Sequence, residues 1–353
     1  MTDINELDTP AVLIDLDRVE ANLKRVQVYA DSHGLKLRPH IKTHKLPRFA
    51  KRAIALGAVG ITVQKLGEAE VFADAGITDI FLPYNIIGPA KLARLKALHG
   101  RIRIAVTADS AETIEGLSRT FAGSATPLTV LVECDTGMGR CGVQSPAAAL
   151  ALAEKIANSP GLALGGLMTY PAAGQVEANA AWLAAAKHAL TEAGLPPAIV
   201  SNGGTPDIWR AHEVAAATEH RPGTYIYMDR YQVAKGVGTF DDCALTVLAT
   251  VVSRPTEDRA IIDAGSKALT SDTLGMTCFG LIEAYPDAVI TGLSEEHGTI
   301  DLSACTSKPR IGDKLRIIPN HACVVSNLFD RVTLISNDRV VETVAVDARG
   351  RVD

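Results

Sequence analysis

The chain has 353 residues, of which 47% are hydrophobic and 21% charged, with a net charge of −5. That is the profile of a soluble globular protein with room for one large domain and a smaller one, and without a basic tail or Arg/Lys block it excludes a nucleic-acid or anionic-membrane surface. Six cysteines with no C-x-x-C pair exclude a disulfide framework. With no basic segment leading into an apolar core at the start, and no apolar run near the roughly 18–20 residues a span needs, the expectation is a cytoplasmic protein with no membrane contact.

Pro10 to Leu16 reads as a short strand, and Asp17-Arg18-Val19-Glu20 has capping-box spacing ahead of a helical stripe of Val19, Leu23, Val26 and Ala30. Gly34 ends that helix, and Leu35–Lys42 is the next strand. Its end carries Arg38-Pro39-His40-Ile41-Lys42-Thr43-His44-Lys45, where alternation puts His40, Lys42 and His44 on one face. A lysine in such a wall is suited to Schiff-base chemistry, because low dielectric disfavours its ammonium. The competing reading is a basic strand edge that blocks aggregation.

Pro47 opens a helix, and a rhythm follows. Strands are expected at 58–64, 79–85, 101–107, 128–135, 164–170, 198–202 and 225–229, with helices between them, one of them over 206–216. Counted from Leu35 this makes eight strands, which predicts an α/β fold, a (β/α)8 TIM barrel near its lower size limit. A doubly wound sheet is the alternative, and no glycine fingerprint follows the first strand. After Lys235 helical stripes vanish, and strands are expected at 243–252, 259–263, 298–302, 314–318, 331–335 and 339–346. The domains expected are a barrel over 14–235 and a C-terminal β domain over 236–353 joined by 1–13.

Function in such a barrel belongs at the C-terminal strand ends. Those ends carry Lys42, Gln64, Asn85, Asp135 with the loop to Arg140, Tyr170 and Asn202-Gly203-Gly204-Thr205, followed by Arg221-Pro222-Gly223-Thr224-Tyr225. The Gly203-Gly204-Thr205 turn, with Gly223 and Thr224, reads as an anion cradle of backbone N–H and hydroxyl donors. The Cys134–Gly142 loop holds Arg140 where it can donate to an oxygen of an aromatic ligand. In the β domain, His321 and Cys323 share a face if the chain is extended and suit one divalent ion, zinc favoured. A buried cysteine beside a core histidine is the alternative there. Glu295-Glu296-His297 is the candidate source of groups around that ion.

These motifs resemble the alanine-racemase-type pyridoxal-phosphate enzymes of fold type III, and within them the D-threonine aldolase / D-serine dehydratase family. The resemblance runs from Thr9-Pro10 to the last strands, and its most specific motif is Arg38-Pro39-His40-x-Lys42-Thr43-His44-Lys45. Gln64–Glu70, Arg221–Tyr225 and Glu295–Gly298 are also typical of the family. It implies that Lys42 carries pyridoxal 5'-phosphate covalently, that Arg140 contacts its phenolic oxygen and that Tyr170 lies beside its ring. Gly203, Gly204, Thr205, Gly223, Thr224 and Tyr225 would form its phosphate end, and Gln64 would border the pocket. His321 and Cys323 would bind the divalent metal, with manganese or magnesium as alternatives to zinc.

The implied enzyme is a homodimeric lyase acting on a small amino-acid substrate, cleaving D-3-hydroxy amino acids to glycine and an aldehyde. The alternative is a D-serine or D-3-hydroxyaspartate dehydratase giving a 2-oxo acid and ammonia. The chain departs from the family in having Tyr170-Pro171-Ala172 where a histidine follows the tyrosine, and its His-x-Cys pair is closer to the dehydratase pattern. Three readings stand further off. They are an amino-acid racemase that needs no metal, a non-catalytic pyridoxal-phosphate carrier, and a sugar-phosphate barrel that makes no Schiff base.

Overall fold

The computed structural model describes residues 3–353; the first two, which the expected β domain includes, lie outside that range. The chain forms two compact units. One comprises Val26–Lys42, Leu46–Gly223 and Arg351–Asp353; the other takes the chain up to Arg25, Thr43–Lys45 and Thr224–Gly350.

Strand β1 (Ala11–Asp15) belongs to the second unit, and the next eight build the first. They are β2 (Lys36–Leu37), β3 (Ile61–Thr62), β4 (Asp79–Asn85), β5 (Arg103–Ala108), β6 (Leu128–Cys134), β7 (Leu162–Thr169), β8 (Ile199–Asn202) and β9 (Glu219–His220). All pairings are parallel, in the order β2-β9-β8-β7-β6-β5-β4-β3. A bridge between His40 and Thr62, with Thr62 N donating to Pro39 O at 2.8 Å, joins the two ends of that row into a barrel. The expected TIM-like α/β architecture is what forms.

Two barrel helices, Ala111–Phe121 and Pro146–Ala157, start on a capping serine. Ser110 accepts from Thr113 N and Ser145 from Ala148 N, each satisfying an orphan donor of the first turn. The first helix, Leu16–Ser32, departs from expectation. Its cap is Asp15, whose carboxylate accepts from Asp17 N and Arg18 N at 2.9 and 3.0 Å. The expected helix over 206–216 is only a 3-10 stretch, Ile208–Glu213.

The expected eighth strand at 225–229 is also corrected. That place in the barrel is taken by Glu219–His220, and Thr224–Ile226 is a 3-10 turn after Pro222-Gly223. The sequence hides β9 because its side chains are polar and yet buried. Glu219 is buried, accepting from Arg38 Nε at 3.0 Å and from Ser201 Oγ at 2.6 Å, while Arg38 also donates to Asp79 at 2.7 Å. Arg38→Met leaves Glu219 without its cation and is expected to lower unfolding stability by about 3–5 kcal/mol in urea titration. A loss under about 1 kcal/mol would mean that Ser201 alone satisfies the carboxylate.

The second unit is a mostly antiparallel sheet. Its strands are β10 (Leu245–Thr256), β11 (Arg259–Ile262), β12 (Leu281–Ile282), β13 (Val289–Leu293), β14 (Gly298–Asp301), β15 (Lys314–Ile318), β16 (Arg331–Ser336) and β17 (Arg339–Ala345). The order is β13-β14-β11-β10-β1-β16-β17, with β15 pairing β10 and β12. β1 lies antiparallel to β10 and parallel to β16, and Ile4, Leu13, Leu248 and Ile335 pack as one buried cluster. β12 and β13 were not expected from the sequence; Pro286 and the turn residues around it obscure their short apolar patterns. Among the described residues no helix is long and apolar enough to cross a membrane.

Candidate active site

The expected first barrel strand stops early. β2 ends at Leu37, His40 keeps a single bridge, and Ile41–Thr43 is a 3-10 turn, so His40, Lys42 and His44 do not alternate along one strand. Pro39, which brings no N–H to a ladder, marks the change. Lys42 N donates to His40 Nδ1 at 3.3 Å, so the imidazole hydrogen sits on Nε2 and is given to Gln64 Oε1 at 3.0 Å. Gln64 is itself held by its backbone N–H on Glu68 Oε2 at 2.7 Å. Lys42 is half-buried, and its Nζ takes no ion pair or hydrogen bond among the described residues. Lys45, by contrast, donates from Nζ to Ala348 O at 3.3 Å.

Because β2, β9 and β8 are neighbours, the turns that follow them share one rim of the barrel. After β8 the chain passes through Gly203 at φ +88°, where a Cβ would lie 2.1 Å from the His220 ring. At Gly204 a Cβ would lie 2.7 Å from the Tyr170 ring. Only glycine fits either place, and the backbone is thereby bared. Thr205 Oγ1 accepts from Gly223 N at 3.2 Å, tying this turn to the one after β9. Burial, then the charge of Arg221, hold the His220 imidazole down to about 4, so it is neutral.

The Arg140 loop is organised by Asp135, whose carboxylate accepts from Gly137 N at 2.9 Å and Gly139 N at 3.1 Å. Arg140 lies with its guanidinium carbon 5.1 Å from the centre of the Tyr170 ring, a cation–π arrangement. The structure therefore brings together Arg140, Tyr170 and Gly204, which the sequence proposed from three separate loops.

Arg221 stood in a noted motif but was given no role. It is buried, donates from Nη2 to Thr169 O, and leaves Nε without a partner. Burial pulls it down to about 10 against the opposing charges of Glu219 and Glu133. A buried cation with an idle donor is the signature of a ligand position, and composition gives no hint of its burial.

The set fits pyridoxal phosphate chemically. A phosphate wants the bared N–H groups of Gly203 and Gly204, an aldehyde wants an unpaired primary amine, and a phenolate oxygen wants a cation such as Arg140.

In the second unit, His321 and Cys323 are not in extended chain. His321 is the N-cap residue of helix Ala322–Leu328, and Cys323 lies in its first turn. The turn still brings them within hydrogen-bonding reach of each other. Cys323 Sγ lies 3.1 Å from Thr43 Oγ1 and 3.4 Å from Thr224 Oγ1. Thr224, expected at the phosphate, thus has its hydroxyl against the thiol, and Tyr225 is fully packed, its phenol pushed up by burial. Asp229, buried and pushed up to about 6 by that burial, accepts from Ala322 N at 2.9 Å and pins the helix start.

His321 Nδ1 meets Asp272 Oδ2 at 2.7 Å. Burial works against its imidazolium, but the hydrogen bond and charge of Cys323, then Asp272, push it up to about 9. Glu295 and Glu296, the candidates for that neighbourhood, instead pair with Lys267 at 2.9 and 2.7 Å. Among the described residues no group of three His, Cys, Asp or Glu side chains is poised for a metal. One nitrogen and one sulfur donor are of the kind that a borderline divalent ion takes, and they are one fewer than the three protein ligands usual at a catalytic zinc.

A closed barrel with a glycine turn and an unpaired lysine on one rim, followed in sequence by a β domain, has the architecture of the alanine-racemase-type class. Residues 14–231 match the alanine racemase N-terminal domain, and residues 244–335 match a putative serine dehydratase domain. The chain belongs to the family of D-threonine aldolases and D-3-hydroxyaspartate dehydratases. It is 36% identical to D-threonine aldolase of Arthrobacter sp over 98% of this chain and 93% of that protein. Identity is 34% to D-threo-3-hydroxyaspartate dehydratase of Delftia sp. (strain HT23), over 96% of each. The solved D-threonine aldolase of Filomicrobium marinum superposes with a TM-score of 0.93 at 33% identity, covering 99% of this chain and 97% of that one. A cysteine-to-alanine mutant of the dehydratase, solved in a metal-free form, superposes with a TM-score of 0.89 at 32% identity, covering 97% and 98%.

Proposed function

We propose that the protein is a pyridoxal-phosphate- and divalent-metal-dependent lyase that cleaves D-3-hydroxy amino acids to glycine and an aldehyde. The observation that carries the cofactor reading is the half-buried Lys42 amine, unpaired on the rim that also bears the Gly203-Gly204 turn. Bound pyridoxal phosphate supplies an electron-withdrawing ring that makes bonds to the substrate's Cα breakable. The residues of this chain do the rest. The N–H groups of Gly203 and Gly204, with the Thr205 hydroxyl that Gly223 N steadies, would hold the phosphate, Arg140 would donate to the ring oxygen, and Tyr170 and Gln64 would wall the ring. Lys42 would hold the cofactor through Nζ, and the same amine, when not so engaged, would serve as a base or acid at the substrate's Cα. His321 and Cys323 would hold the divalent ion, a Lewis acid for the substrate hydroxyl.

Retro-aldol cleavage leads because the aldolase likeness is the fuller one in identity and superposition. Dehydration is the second reading, favoured by the His-x-Cys pair and by Pro171-Ala172 following Tyr170, which offer no base for the hydroxyl there. The test is a panel of D- and L-3-hydroxy amino acids assayed for aldehyde, 2-oxo acid and ammonia. Aldehyde and glycine from D substrates alone are expected. A 2-oxo acid with ammonia as sole product replaces the aldolase with the dehydratase. Racemisation of amino acids lacking the hydroxyl would overturn both.

A further inference from the structure

We propose that Asp272 is a positioning residue of the metal centre, fixing His321 through Nδ1 so that Nε2 is the nitrogen presented to the ion. The proposal rests on reading His321 and Cys323 as the ligands. An ionised carboxylate has no hydrogen to give, so at 2.7 Å the shared hydrogen belongs to Nδ1. Nε2 is then the ring nitrogen left for an ion. A histidine ligand backed by a carboxylate is oriented and made a better donor, and loss of such a partner weakens metal binding about 10–100-fold.

The loop is built to put the carboxylate there. Thr270 stands at φ +63° and Leu274 at φ +50°, a strained conformation for a β-branched and a bulky side chain. Two hydrogen bonds through Asp272 hold that shape. Its N–H donates to Thr270 Oγ1 at 3.1 Å, and its Oδ1 accepts from Leu274 N at 3.1 Å. One carboxylate oxygen therefore fastens the loop while the other fastens the imidazole. With Oδ2 engaged on Nδ1, Asp272 acts behind the histidine and is not a third ligand. The hydroxyls of Thr43 and Thr224 stand to the Cys323 sulfur much as Asp272 stands to the ring.

The experiment titrates cobalt(II) into chelator-treated full-length protein, reading the thiolate-to-cobalt absorption band and a dissociation constant by competition. Wild type should show the band and Cys323→Ala should not. Asp272→Ala should keep the band and bind about 10–100-fold more weakly, with Asp272→Asn recovering part of the loss through its carbonyl oxygen. Asp272→Ala binding as tightly as wild type overturns the proposal. So does loss of the band in both Asp272 variants, which would make the carboxylate a ligand itself. A wild type without the band removes the ligand reading, and this proposal with it.

Discussion

Replacing Lys42 with alanine is expected to abolish the yellow, borohydride-reducible adduct and to cut turnover by at least about 10²–10⁴-fold, the share that a positioned acid–base group contributes. Two roles would be lost together, because the proposal gives the same Nζ both the cofactor and the Cα proton. Lys42→Arg is an informative companion. It keeps the positive charge, yet a guanidinium does not lose its proton and forms no imine, so it should fail as completely as alanine. Lys45→Ala serves as the contrast, since that amine is committed to the Ala348 carbonyl. Absorbance after dialysis, reduction followed by peptide mapping, and steady-state rates read all three. Should the label sit on Lys45, or should Lys42→Ala stay yellow, the assignment of the cofactor lysine fails.

What the sequence disclosed and what it hid follow from different physics. The start of a helix at Pro47 is local chemistry and was legible. The alternation of strand and helix was legible too, as was the cluster of rim loops, since a parallel barrel sends every strand end to one side. β9 was hidden because pattern reading expects apolar strands, whereas Glu219 is buried against an arginine 181 residues away. The register at Lys42 was misread for a related reason. Arg38–Lys45 alternates as a strand would, but Pro39 precedes a turn in which His40 accepts from the backbone of Lys42. Asp272 had no signal at all, as its meaning lies in a hydrogen bond across 49 positions. Arg221 was visible as a motif residue, while its burial, and hence its significance, needed three dimensions.

Removing either proposed metal donor is the second large effect expected. His321→Ala and Cys323→Ala should each lower metal content and cut turnover by about 10²–10³-fold. Lewis-acid stabilisation amounts to several kcal/mol, and each 1.36 kcal/mol is a factor of ten. The yellow adduct should survive in both, because none of the groups assigned to the cofactor belongs to this pair. The two variants should differ in their remaining chemistry. Without Cys323, Thr43 and Thr224 lose a shared partner but His321 keeps Asp272, so a weak nitrogen site persists and added metal restores some activity. Without His321, Asp272 keeps its bond from Leu274 N yet has no imidazole to hold, and the lone thiol should be restored less well. Metal analysis by mass spectrometry, with turnover measured across added zinc, manganese and magnesium, separates these outcomes. Full activity in either variant after exhaustive chelation would take the metal out of the reaction and leave a cofactor-only enzyme, which is what a racemase would require.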